Sequence, residues 1–253
     1  MSDLGENATR SKVTTMSLEF REVGLSPNFI DYTVAWDQQR VVHAGVVDGT
    51  APNTVLLLEH AAVYTAGKRT EDHERPFDGT PVINVDRGGK LTWHGPGQLV
   101  MYPIVRLADH HDIRGYVTAL EDIIIDVLAH HGVDGVRVRG RAGIWLLADN
   151  KGPDRKIAAI GIRVHEGVTM HGIAINANNS LAPYQQIIAC GINDAGTTSL
   201  LVETGKDISP ADLLEQVKSA TSRILTPLIA DTQPPLATTA GSAAAGQPEG
   251  ALL

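Results

Sequence analysis

Seven strand-length apolar segments, split by Gly- and Asn-rich turns and accompanied by only three helix signals, constrain the fold of this chain more than any other feature. They read "NTVLLLE", "PVINVD", "LVMYPIV", "VRVRG", "GIWLLA", "KIAAIGIRV" and "TMHGIAIN". The last two are joined by a short "HEG" turn, which points to antiparallel pairing, because parallel neighbours need a long crossover. Of the helix signals, "SPNFIDYTVAWDQQRVVHAG" opens with Ser26 as N-cap and Pro27 at the first helical position. "GYVTALEDIIIDVLAHHG" sets Leu120, Ile124, Val127 and Leu128 on one face and stops at Gly132. "SPADLLEQVKSATSRIL" repeats the Ser-Pro start at Ser209 and Pro210. The expected fold is therefore α+β in two layers, a mixed, largely antiparallel sheet with flanking helices.

The patterned chain runs from about residue 16 to 230 and reads as one domain. Residues 1–15 form a polar lead. Residues 231–253, "DTQPPLATTAGSAAAGQPEGALL", are expected to be disordered, since they offer too little apolar surface to offset their ordering entropy. The net charge of −8 argues against a nucleic-acid partner. No apolar run approaches a membrane span, and the polar N-terminus has no signal core, so a cytoplasmic location is expected.

Cys190 is the single cysteine, within "IIACGI". It cannot close a disulfide within the chain or build a thiolate metal cage. It is either a small buried hydrophobe or a nucleophile, and the second role needs a positive neighbour to hold the thiolate. "DRGGKLTWHGPGQLVMYP" packs four glycines and a proline into its first twelve residues beside Arg87, Lys90 and His94. It reads either as a Gly-cornered hairpin or as a backbone surface that a ligand approaches closely. It matches neither GxxxxGK[ST] nor GxGxxG, so nucleotide binding has no support there. Lys156 opens "KIAAIGIRV", whose small residues make a flat surface for an alkyl chain; a solvated lysine at a strand end is the plainer reading. His171 in "MHGIAINANN" reads on its own as a structural histidine. The remaining histidines lack metal-ligand spacing, and neither a metal nor a cofactor is expected. Residues 137–163 carry seven Lys or Arg against two Asp. They form either the solvent face of a strand pair or a docking surface for an acidic protein.

Taken together these segments resemble the octanoyltransferase family of lipoate biosynthesis, the lipoyl(octanoyl) transferases. The resemblance runs from about Leu18 to Leu228. It rests on "RGGKLTWHGPGQLVMYP", "KIAAIGIRV", "HGIAIN" and "ACGI" in that order, with a Lys156-to-Cys190 spacing of 34 residues. Ala189 stands where the family commonly has proline. The resemblance implies a fold of the biotin/lipoate protein ligase type and transfer of octanoyl from octanoyl-acyl carrier protein to a lysine of a lipoyl domain. It implies Cys190 as nucleophile and Lys156 as the cation that lowers its pKa. It also implies acyl contacts from Arg87, Gly88, Gly89, Lys90, Leu91, Thr92, Trp93 and His94, from Ala159, Ile160 and Gly161, and from Gly172, Ile173 and Ala174. Acceptors would be the lipoyl domains of 2-oxoacid dehydrogenase complexes and the glycine cleavage H protein. Two other readings share the scaffold: an ATP-dependent lipoate ligase, which needs no cysteine, and a non-catalytic acyl-binding or carrier-docking protein.

Overall fold

Strand β1 (Glu19–Gly24), helix α1 (Tyr32–Val47) and strand β2 (Thr54–Leu58) open the fold as a β-α-β unit with parallel strands. The computed structural model describes residues 18–77, 80–187 and 195–230; the lead, the tail and Cys190 lie outside them. The main sheet continues antiparallel through β6 (Gln98–Ile104), β10 (Val168–Asn176), β9 (Arg155–His165), β8 (Arg141–Leu146) and β7 (Val136–Val138). A two-residue strand, β11 (Gly196–Thr197), pairs parallel with the start of β9. A second sheet of β3 (Val63–Ala66), β4 (Val82–Asn84) and β5 (Leu91–His94), in the order β4-β3-β5, sits apart from it.

Burial on both faces explains why the central strands read as unbroken apolar runs. Val55, Leu57, Leu99 and Met101 join one core, which α2 (Ile113–Ala129) and α4 (Leu214–Leu225) cover with Leu120, Ile124, Val127, Leu128, Val217 and Leu225. Leu56, Leu58, Val100 and Tyr102 face the other way, onto Ala35, Val42 and Val46 of α1. Helix α1 packs on β6 and β10.

The first helix starts five residues later than its Ser-Pro signal suggests. Asp31 is the N-cap, its carboxylate accepting from the backbone N–H of Thr33 and Val34. Ser26 instead donates its N–H to Glu59 Oε1, and Ile30 bridges to His60. Tertiary hydrogen bonds thus claim the residues that local propensity assigns to a helical turn. The other two boundaries are closer. Asp112 caps α2, which ends just before Gly132 at a φ of 71°. Ser209 caps a 3-10 turn at Pro210–Leu213 that runs into α4. The "HEG" turn is a two-residue hairpin loop, Glu166 and Gly167 both having positive φ, as a type I′ turn requires.

An ion-pair cluster fixes the start of β9. Arg155 holds Glu203 through Nε (2.6 Å) and Nη2 (2.9 Å), and Asp149 at 3.0 Å. Glu203 lies on the short helix α3 (Leu200–Thr204) and also accepts from Thr198 just past β11. The Arg155 and Glu203 side chains are 7% and 3% exposed, so Glu203→Ala leaves a buried cation with only the more exposed Asp149 still paired to it and should cost about 3 kcal/mol in a denaturant melt. Hydrogen bonds from Arg155 and Thr198 hold the Glu203 carboxyl down at about 2. Its folded pKa lies below the unfolded value of about 4.3, so this stabilisation is complete above that pH and fades as pH falls towards 2. An unchanged midpoint in the variant would show that the cluster contributes nothing net.

Candidate active site

The β9–β10 register sets Ala159 opposite Ala174 and Gly161 opposite Gly172. Directly opposed residues share a sheet face, so these four form a flat floor on the face that α1 also packs against. Ile160 and Ile173 lie between them, and the Ile173 side chain enters the core beneath. The floor tolerates no larger residue at Gly172, where a Cβ would lie 2.2 Å from the Met101 carbonyl oxygen.

The Gly-rich block is the roof. Gly88 donates its N–H to Ile162 O at 2.9 Å, pinning the loop onto β9. Arg87 is buried beside it. Its Nη2 donates to Thr65 O and Oγ1, and its Nη1 to the carbonyls of Gly88 and Lys90. The arginine therefore braces its own loop against β3. Lys90 pairs with Glu71 and Glu74. Strand alternation splits β5. Thr92 and His94 face inward, while Leu91 and Trp93 pack with Tyr64, Ala66 and Ile187 on the far side.

Between floor and roof lies a cavity of about 290 Å³. Arg87, Gly89, Lys90, Thr92, His94, Lys156, Ala159, Ile160, Gly161, Gly172, Ile173 and Ala174 line it. Gly88, Leu91 and Trp93 do not, the first because it is spent on the latch to Ile162, the others because of the alternation. Sequence reasoning missed Tyr32, Tyr102, Arg69 and Arg141, which also line the cavity. Only the alternation of "LVMYPIV" hints at one of them, setting Tyr102 on the same face as Val100.

The phenols and imidazoles at the walls are held neutral by burial, beside the cations Arg69, Arg87, Lys90, Arg141 and Lys156. Burial pushes Tyr32 up to about 12 and Tyr102 well above the usual phenol range. His60 is held down to about 4 by burial, and its Nε2 accepts from the Tyr102 hydroxyl at 2.8 Å. Burial likewise lowers His94 well below the ordinary imidazole value. His94 Nδ1 donates to Gln98 Oε1 at 2.7 Å, which leaves Nε2 as an acceptor. Gln98 is itself fixed by donating to Asn176 Oδ1 and the Tyr184 hydroxyl.

Lys156 stands at one end of the cavity, paired across β9 with Trp145 of β8 and Thr197 of β11. Its Nζ is 5.4 Å from the Trp145 ring centroid, within cation–π range. Gly143, at a φ of 94°, makes room for this arrangement: a Cβ there would come within 2.7 Å of Lys156 Cε. The chain is anchored on both sides of the Cys190 segment. Ile187 packs under Trp93, and Gly196 donates to Asp154 O at 2.8 Å beside the start of β9.

The basic run of residues 137–163 is mostly neutralised by acids, several of them distant in sequence. Arg137 pairs with Glu121 and Asp122, Lys151 with Glu203, Arg155 with Asp149 and Glu203, and Arg163 with Asp86. The local positive excess in the sequence thus does not amount to a bare positive face.

The family model for the lipoyl protein ligase A/B catalytic domain matches residues 31–222, most of the sheet and every strand of the cavity floor. The chain belongs to this family. The octanoyltransferase of Renibacterium salmoninarum is 72% identical over 202 residues, covering 80% of this chain and 87% of that one. The Arthrobacter octanoyltransferase is 65% identical over 202 residues, covering 80% and 91%. At this similarity the chain is an octanoyltransferase, an acyltransferase of protein lipoylation. The bipartite lipoate protein ligase of Thermoplasma acidophilum superposes with a TM-score of 0.60 at 11% identity, covering 83% of this octanoyltransferase and 84% of that chain. That likeness establishes the shared fold. Among the described residues, no helix of the octanoyltransferase is long and apolar enough to cross a membrane.

Proposed function

We propose that the enzyme takes octanoyl from octanoyl-acyl carrier protein onto Cys190 and passes it to the acceptor lysine of a lipoyl domain, with Lys156 moving the protons. One observation carries this reading. A cavity with a floor of opposed Gly and Ala residues is also lined by Lys156, which pairs with Thr197 of β11, the first strand after the Cys190 segment. At about 290 Å³ the cavity is near the small end of ligand pockets, which suits a short acyl chain.

The proton and bond changes balance over one cycle. The Lys156 ammonium stabilises the Cys190 thiolate, which attacks the thioester carbonyl. The carrier thiolate leaves and takes a proton from Lys156. The neutral Lys156 amine then accepts a proton as the lipoyl-domain lysine attacks the acyl-cysteine. An amide forms, and the thiolate–ammonium pair is restored. Thioester exchange is nearly isoenergetic, so amide formation drives the sequence forward. The acyl chain, buried on the flat floor, contributes up to about 0.8 kcal/mol per methylene. Intact-mass measurement after incubation with octanoyl-carrier protein should find one octanoyl group on Cys190; an enzyme that turns over without ever carrying it would overturn this reading.

A further inference from the structure

His171 breaks the alternation of its own strand. Alternation along β10 would direct its side chain to the same face as Ile173, into the core covered by α2. Its φ of 58° is left-handed, a strained conformation for a residue other than glycine. The result is an imidazole on the opposite face, edge-on to Tyr102 and 6.1 Å from the Trp36 ring of α1. There it lines the cavity while being only 1% exposed. Its Nε2 donates to Asp86 Oδ1 at 2.8 Å, and Arg163 pairs with the same carboxylate. Its backbone N–H donates to Gln39 Oε1 at 2.8 Å. Strain retained at a cavity wall, and braced from three elements, is what a shape-determining residue looks like.

His171 lies opposite Ile162 in the β9–β10 register, and Ile162 is where Gly88 latches the roof to the floor. The roof is therefore tied to the floor at this level. From Ala159 to Ile162 the strand advances about 10 Å, at roughly 3.4 Å per residue. An extended eight-carbon acyl chain covers about 9 Å, with carbon–carbon bonds near 1.5 Å. From Lys156 to Ala159 there remains a similar length for the lysine side chain and the thioester.

Resting on the acyl-site reading above, we infer that His171 is the end wall that sets acyl-chain length. Asp86 is the positioning residue that holds it there. The wall meets the methyl end of an octanoyl group and excludes longer chains.

Hexanoyl-, octanoyl- and decanoyl-carrier proteins compared on wild type, His171→Gly and Asp86→Ala test this. Glycine adopts a φ of 58° freely and opens the end. With two more methylenes accommodated, each worth about fourfold when buried, the decanoyl-to-octanoyl ratio of kcat/KM should rise about fifteenfold in His171→Gly. Asp86→Ala should raise it by a smaller factor. A folded His171→Gly protein with an unchanged ratio would overturn the wall. Should both variants fail to fold, the ring resonances of His171 in the wild type decide. They should shift on octanoyl loading and stay in place on hexanoyl loading; equal shifts would overturn the proposal. Absence of any acyl adduct on the wild type would instead overturn the acyl-site reading beneath it.

Discussion

Cys190→Ser is expected to lower transfer from octanoyl-carrier protein to a lipoyl domain by a thousandfold or more, as removal of a covalent nucleophile does elsewhere. A serine hydroxyl stays protonated beside an ammonium where a thiol does not, so the variant keeps the shape of the site and loses its reactive anion. Initial rates, together with a melting curve that matches the wild type, check this. Turnover within a few-fold of the wild type would mean that another group carries the acyl chain.

Lys156→Ala should have the next largest effect, about 10²- to 10⁴-fold on turnover, because in the proposed cycle one group serves both proton transfers. Its influence on the thiol can be read separately. A cysteine at its ordinary pKa of about 8.5 is roughly 3% ionised at pH 7. If the ammonium is what keeps Cys190 ionised, the variant should react with iodoacetamide up to about thirtyfold more slowly at pH 7 and nearly as fast as wild type at pH 10. Equal rates for the two proteins at both pH values would remove Lys156 as the stabilising charge.

Local patterning made the apolar faces of the large elements legible. Leu120, Ile124, Val127 and Leu128 recur at helical spacing, and all four are fully buried on α2. The paired strands of "KIAAIGIRV" and "TMHGIAIN" and their tight turn followed from the same kind of local evidence. What escaped were elements defined by distant partners. The strand β1, "EFREVG", carries charges at three of its six positions and exists because β2 offers it a parallel edge. The Ser26–Pro27 start failed because Glu59 and His60 bind that segment.

The same division holds at the site. The small residues of the floor and the Gly-rich roof were visible as composition, whereas their opposition, Gly161 to Gly172 and Ala159 to Ala174, is a property of register. The partners of Arg87 lie within the protein, Thr65 and the carbonyls of its own loop, and only the folded loop brings Thr65 to it. His171 read as an ordinary structural histidine. Neither its left-handed backbone nor Asp86, 85 residues earlier, leaves a mark in "MHGIAIN".

A single-turnover chase tests the central claim most directly. Enzyme loaded from octanoyl-carrier protein is freed of the carrier and mixed with a lipoyl domain in the absence of ATP and magnesium. Octanoyl should leave Cys190 and appear on the lipoyl-domain lysine in equal amounts, because the thioester already carries the activation that an adenylate would supply. Octanoylation that occurs only with free octanoate and ATP, with Cys190 never labelled, would contradict the account and return the protein to the ligase mechanism.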